Sequence, residues 1–230
     1  MPKEVVIFIG PPGSGKGTQA DLLMEEKGFF HLESSKVIEE KFKNAEPNDP
    51  VIFREMTLWR TGKLNSPELV REWILERVRQ AASEGKSIVF SGSPRTLYEA
   101  EGEMPVLEEM YGPTNVHVLH LWVSEERSIE RNSKRRICKA NRHPIPNLPE
   151  YEHITVCPKD GSELVTRALD TPETIKVRLV EYANRTAPII DFLKKLGYTI
   201  TDIDGDNTIE AVHHHVVEAL ERRRFPVPRE

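Results

Sequence analysis

With 230 residues the chain has room for one domain with inserted segments and a substantial interior. A net charge of −5 gives no global basic field for nucleic acid, two cysteines are too few for a secreted disulfide framework, and no apolar run reaches the length of a membrane span. Charged Lys3 and Glu4, followed by only five apolar residues, do not make a signal peptide, so a cytoplasmic chain is expected.

Short apolar runs then alternate with longer amphipathic stretches. "VVIFI", Val5 to Ile9, is apolar throughout, as a strand buried on both faces requires. The glycine-rich "GPPGSGKGTQ" follows it directly and runs into a helical pattern. In "SPELVREWILERVRQAASEG", Ser66 is the expected N-cap, Pro67 opens the helix and Gly85 stops it. Leu69, Val70, Trp73, Ile74 and Val78 supply its apolar stripe. "SIVFS" and "VHVLHLWV" read as further strands. The interval from Cys138 to Glu163 is rich in proline and polar residues, lacks a helical period, and reads as an excursion from the core. "TPETIKVRLVEYANRTAPII" starts another helix at Thr171 and Pro172, with Ile175, Leu179 and Tyr182 on one face, and "YTITDI" is the last strand. The C-terminal helical pattern holds His213 to His215, which are not spaced for one metal site, and closes in "ERRRF", whose cations favour the negative helix pole. Strand and helix in alternation imply a parallel sheet covered by helices.

The glycine stretch carries the first chemistry. The common phosphate-loop pattern sets a hydroxyl immediately after its lysine, but here Gly17 follows Lys16 and the hydroxyl waits until Thr18. A strand, a glycine loop and a helix in that order aim several backbone N–H groups and the positive end of a helix dipole at one point, which suits a phosphate chain. Gly10, Pro11, Pro12, Gly13, Ser14, Gly15, Lys16, Gly17 and Thr18 form this candidate site, with Lys16 reaching the outer phosphates.

"GPPGSGKGTQA" resembles the phosphate loop of the adenylate kinase family, where Gly-Thr follows the lysine. The resemblance extends over nearly the whole chain. "TGKLNSPELV" looks like the family's segment after the monophosphate-binding helices, and "SGSPRTLYEAE" is similar to its D-G-F-P-R-T-x-x-Q-A-E motif. "ERNSKRR" resembles the lid entry R-x-x-G-R-R, "CPKDGSELVTRALD" the lid exit, and "RLVEYANRTAPIIDFLKKLG" the helix beyond it. The resemblance implies a P-loop NTPase-type α/β fold, a parallel five-stranded sheet with helices on both faces. It implies a core of residues 1–33, 67–131 and 168–230, a monophosphate-binding insertion at 34–66 and a lid at 132–167. The implied reaction is reversible phosphoryl transfer from Mg-ATP to a nucleoside monophosphate; a monomer without nucleic-acid or membrane partners is expected. Such chemistry proceeds by positioning and by fixed cations in a dry site, for which arginine's planar fork is suited. Carried over by position, Lys16 is the phosphate-loop lysine and Arg95 holds the acceptor phosphate. Arg131 lies near the donor base, Arg135 on the transferring phosphates, and Arg167 and Arg178 complete the catalytic cations. Lys63, Asn65 and Gly92 fall on the monophosphate side.

The departures from the family cluster on that side. Where it has S-T-G-D-x-L-R, this chain reads "ESSKVIE". Ser34 keeps a hydroxyl, but Glu39 stands where an arginine would grip the acceptor phosphate. Lys36, three residues earlier on the same side of a helix, is expected to replace the lost cation while Glu39 turns away, or else to form a solvated pair with it. Ser91 replaces an aspartate that orients Mg²⁺ through its water shell. It brings no negative charge, so Mg²⁺ should rest on the ATP phosphates and Thr18, with slower turnover or a raised metal requirement. Glu99 replaces the glutamine that reads adenine. A carboxylate only accepts, which suits the N1 and N2 donors of guanine, with Ser34 meeting O6. AMP is the first expectation from the family. GMP or CMP is the alternative acceptor, and a degenerate ATP-binding regulator with little turnover is the reading from another class.

Some relatives carry zinc-binding cysteines in the lid. Here "CKAN" and "CPKD" offer Cys138, Cys157 and Asp160, with Asn141 a poor ligand and His143 two residues further on as a substitute. A metal-free lid held by hydrogen bonds is the expectation, and these four are the weak zinc candidates.

Overall fold

The computed structural model describes residues 3–147, 151–167 and 169–224. Residues 1–2, part of the proline-rich interval, the first residue of the expected third core segment and Phe225 of "ERRRF" lie outside it.

Five strands pair in parallel in the order β2-β3-β1-β4-β8: β1 (Val5–Ile9), β2 (Phe30–Leu32), β3 (Ile88–Phe90), β4 (Val116–Trp122) and β8 (Ile200–Asp204). The central place of β1 follows from its sequence, since all five of its residues are buried. Successive side chains of a strand point to opposite faces. Val5, Ile7 and Ile9 accordingly join one core, with Ile88, Phe90, Val116 and Val118 from neighbouring strands. Val6 and Phe8 join the other, with Val89, Leu119 and Leu121. The helices α2 (Ser34–Lys43), α4 (Pro67–Ser83), α5 (Leu97–Tyr111) and α8 (Pro188–Lys195) cover the first face, while α1 (Lys16–Lys27) and α9 (Ile209–Arg224) cover the second. Val6 lies between Val89 and His117, so β1, β3 and β4 end side by side. Ligands of open parallel sheets bind outside such carboxyl ends.

The strand β2 is absent from the runs legible in the sequence. It has three residues, too few to show an alternation, and it takes its place from its pairing with β3. Ser66 does sit at the N-cap position of α4, but its hydroxyl makes no capping bond and donates instead to Glu55 Oε1 at 2.6 Å. Thr171 caps α7 (Pro172–Glu181) as expected, accepting from the Thr174 N–H.

Two excursions leave this core. The first follows α2 and carries α3 (Pro50–Arg60). The second follows α6 (Glu125–Ser133) and forms a small antiparallel sheet of β5 (Arg136–Cys138), β6 (Pro144–Ile145) and β7 (Leu164–Thr166), with β5 in the middle. Among the described residues no helix is long and apolar enough to cross a membrane. His213 joins α9 to α1 through Gln19 and Glu26 and takes no part in a metal cluster among the described residues.

Candidate active site

The loop after β1 turns into α1 through Gly15, whose φ of 96° is strained for any residue bearing a Cβ. Ser128 Oγ of α6 donates to the Pro12 carbonyl at 2.6 Å and so fixes the loop from outside. Lys16 Nζ donates to the carbonyls of Gly10 and Pro11, each at 2.7 Å, and lies 3.2 Å from Ser14 Oγ. Every predicted loop residue except Pro11 lines a cavity of about 480 Å³ at the ends of the central strands. Pro11 contributes its carbonyl, which accepts from Lys16 and from the Ser14 N–H.

Opposite the loop, Arg95, Arg131, Arg135, Arg167 and Arg178 line the same cavity, as the sequence led us to expect. Burial, and then the guanidiniums of Arg95, Arg178 and Arg135, hold the Lys16 ammonium well below the ordinary lysine pKa. Burial and neighbouring arginines likewise bring Arg178 down to about 9 and Arg167 to about 10. Crowded cations that depress one another mark a place that a polyanion would relieve. Asp170, fully buried at its side chain, is the main counter-ion. It accepts from Arg135 Nε at 3.0 Å and Nη2 at 2.8 Å, and from Arg178 Nη1 at 3.2 Å. Asp170 was not among the residues picked from the sequence, although it closes the quoted lid-exit motif. Arg131 has other partners: its Nη1 donates to the Gly205 carbonyl at 2.7 Å.

Around the residues expected on the monophosphate side, four contacts differ from expectation. Lys36 and Glu39 do not pair. Half-exposed Lys36 lies 3.4 Å from Glu33, while Glu39 contacts the guanidinium of Arg142, from the turn between β5 and β6. Arg142 also lies 3.6 Å from Glu33. Burial alone would raise the Glu33 pKa, but chiefly Arg142, then Ser35 and Lys36, bring it down to about 2. Ser34 Oγ donates to the Gly92 carbonyl at 2.6 Å, and a Cβ at Gly92 would collide with that hydroxyl and with Arg95. The Asn65 amide donates to the backbone and carboxylate of buried Glu55. Glu99 accepts from the Arg95 N–H at 2.8 Å and from Thr96 Oγ1 at 3.0 Å, and Ser93 lies between it and buried Glu103. Burial raises the pKa of both carboxyls, well above the ordinary range for Glu103, whose neighbour Glu99 adds to the rise. Ser34, Lys63, Asn65, Arg95 and Glu99 meet around a second, small crevice, and Lys36, Lys63, Gly92 and Arg95 line the large cavity.

Ser91, at the end of β3, is not isolated. Its Oγ lies 2.6 Å from His31 Nε2, and His31 Nδ1 lies 2.8 Å from Asp21 Oδ1. Asp21, His31 and Arg142 were not read from the sequence.

In the second excursion the four zinc candidates converge. One ligand atom each from Cys138, His143, Cys157 and Asp160 lies within 4.8 Å of the others. His143 Nδ1 is 3.5 Å from Cys138 Sγ, 3.4 Å from Cys157 Sγ and 3.2 Å from Asp160 Oδ2. Ligands about 2.0–2.3 Å from a tetrahedral ion stand about 3.2–3.8 Å from one another, so this donor set fits Zn²⁺. The N–H groups of Asn141 and His143 both donate to Cys138 Sγ at 3.3 Å, which suits a thiolate.

Comparison with known proteins places these features in a family. Residues 8–198 match the family model described as adenylate kinase. The chain is 34% identical over 220 residues to the adenylate kinase of Carboxydothermus hydrogenoformans, covering 94% of this chain and 99% of that one. It is 35% identical over 222 residues to that of Mesoplasma florum (94% and 99% covered) and 30% over 218 residues to that of Bacillus subtilis (94% and 97%).

Proposed function

The chain belongs to the adenylate kinase family, whose reaction is ATP + AMP = 2 ADP, and we propose the following roles for its own residues in that reaction. The observation that carries the assignment is the ring of Lys16, Arg95, Arg135, Arg167 and Arg178 around one cavity, with burial depressing several of them. Fixed cations without enough counter-ions are costly by themselves and become favourable when two phosphate chains enter.

Mg-ATP enters on the Arg131 side. The backbone N–H groups from Gly13 to Thr18 and the Lys16 ammonium hold its outer phosphates, and Thr18 offers a hydroxyl toward the metal. Arg95 holds the acceptor phosphate, whose oxygen attacks the γ-phosphorus in line while the bond to the β-phosphate oxygen breaks. Arg135, Arg167 and Arg178 face the charge on the transferring group. Asp170 fixes the planes of Arg135 and Arg178, so that little reorganisation is needed as that charge develops. Residues 34–66 act as the monophosphate-binding segment and 132–167 as a lid, with the remainder as core. Closing both over the nucleotides keeps out water, the competing acceptor.

On the acceptor side, Arg142 takes the place of the arginine that Glu39 displaces. Three cations, Arg95, Arg142 and Lys36, then face two carboxylates, Glu33 and Glu39, a balance that still admits an anion. Glu99 is buried and held by its own loop, one oxygen accepting from the Arg95 N–H and the other from Thr96, so it is not presented to the paired donors of guanine. That favours AMP. Cys138, His143, Cys157 and Asp160 would hold a zinc ion at one end of the small sheet, where it would tie the turn between β5 and β6 to the loop that precedes β7. A coupled assay of ADP formation from Mg-ATP and AMP tests the function. The expected result is turnover that collapses in Arg178→Ala while ATP binding persists.

A further inference from the structure

We propose that Asp21 and His31 are positioning residues for the Mg-ATP half of the reaction, acting through Ser91. The proposal rests on the phosphotransferase reading above and concerns how this chain manages without a carboxylate at position 91.

The three side chains come from three elements: Asp21 from α1, His31 from β2, and Ser91 from the residue after β3. The 2.8 Å and 2.6 Å contacts make a continuous relay, with side-chain exposures of only 15% for Asp21 and 6% for His31. All three line the main cavity together with Lys16 and Thr18. The order of donors and acceptors follows from chemistry. A carboxylate only accepts, so His31 Nδ1 carries the proton that faces Asp21. In the neutral imidazole, Nε2 then presents a lone pair and takes the hydroxyl proton of Ser91. That hydroxyl has a single proton. Once it points at His31, Ser91 Oγ shows the cavity only lone pairs.

This restores a property that the serine alone lacks. A free hydroxyl can meet a metal-bound water as donor or acceptor, and only the second suits, because the water itself must donate. The relay makes Ser91 an obligate acceptor, as a carboxylate is, and the Asp21 charge polarises it through the imidazole. The raised metal requirement expected from Ser91 by itself is therefore removed. Asp21 and His31 act at a distance from the reacting atoms, by fixing the direction of one hydroxyl.

The test uses the full chain with a non-hydrolysable ATP analogue. Mn²⁺ is titrated into the protein–analogue complex and followed by its magnetic resonance signal, with melting temperature and metal-free analogue affinity measured alongside. An amide at position 21 donates as readily as it accepts, so Asp21→Asn leaves the shape intact and allows the opposite tautomer. Asp21→Asn and Ser91→Ala should each weaken Mn²⁺ binding roughly tenfold while metal-free analogue affinity stays unchanged. Ser91→Asp placed in the Asp21→Asn chain should recover it. Unchanged Mn²⁺ affinity in both single variants overturns the proposal. So does a parallel loss of metal-free affinity and melting temperature, which would assign the relay to holding β2 against α1. Wild-type protein that binds Mn²⁺ and analogue but makes no ADP would refute the assigned reaction and leave the relay standing.

Discussion

Arg142→Ala is the perturbation that bears most on the acceptor site. Its guanidinium lies against Glu39 and Glu33, with 16% of its side chain exposed, whereas Glu39 keeps 40%. Removing it leaves Arg95 and Lys36 to face two carboxylates, a neutral balance where a phosphate dianion must enter. Truncating one partner of a buried charge pair costs about 2–5 kcal/mol. Because Glu39 is partly solvated, we take the low end, about 2–3 kcal/mol, and at about 1.4 kcal/mol per tenfold this raises the AMP KM by about 30- to 140-fold. The ATP KM should hardly move, since Arg142 lies away from the phosphate loop. The assay is steady-state ADP formation with AMP and Mg-ATP varied in turn. Glu39→Arg in the Arg142→Ala chain should recover most of the loss, by returning the cation to α2. Lys36→Ala should have a smaller effect than Arg142→Ala, because Lys36 is half-exposed and screened. An AMP KM within about twofold of wild type in Arg142→Ala, or an equal rise for ATP, would refute the charge transposition.

Three further outcomes follow from the same geometry. Asp170→Asn removes the buried counter-ion that orients Arg135 and Arg178, and should lower kcat about 10- to 100-fold with a small change in ATP KM; an unchanged kcat would deny it that role. Glu103 has a folded pKa raised well above the ordinary value, so the native state holds its proton more tightly than the unfolded chain and loses stability as pH rises above about 4.5. Glu103→Gln, which still accepts from Ser93, should raise the melting temperature more at pH 8 than at pH 4, and equal shifts would count against a protonated Glu103. Purified protein should contain stoichiometric zinc, and Cys138→Ser should lose it together with several degrees of melting temperature; metal analysis that finds none in wild type would return the lid to hydrogen bonds alone.

The phosphate half of the site was legible because its requirements are local. Glycines at fixed offsets, a strand before them and a helix after them lie within one short stretch, and the arginines sit in motifs of fixed spacing. The acceptor half was less legible because its partners are remote in sequence. Glu39 looked like a lost cation until Arg142 arrived from another excursion to meet it. Ser91 looked like a lost charge because Asp21 and His31 reach it from a helix and from a strand too short to announce itself. Ser34, Asn65 and Glu99 carried the right chemistry for reading a base, yet each is engaged by Gly92, Glu55 or its own loop. Composition gives no sign of such internal partners. The lid donors fall between these cases, since the spacing offered three ligands and only the turn through Arg142, at φ 61°, brings His143 round as the fourth.

The most direct test of the account is a comparison of AMP, GMP, CMP and UMP as acceptors at equal concentration with Mg-ATP, following nucleoside diphosphate formation. The account predicts AMP as the best acceptor, with GMP far behind because buried Glu99 is held by its own loop. Faster turnover of GMP, or no ADP from AMP by protein that binds ATP, would contradict it.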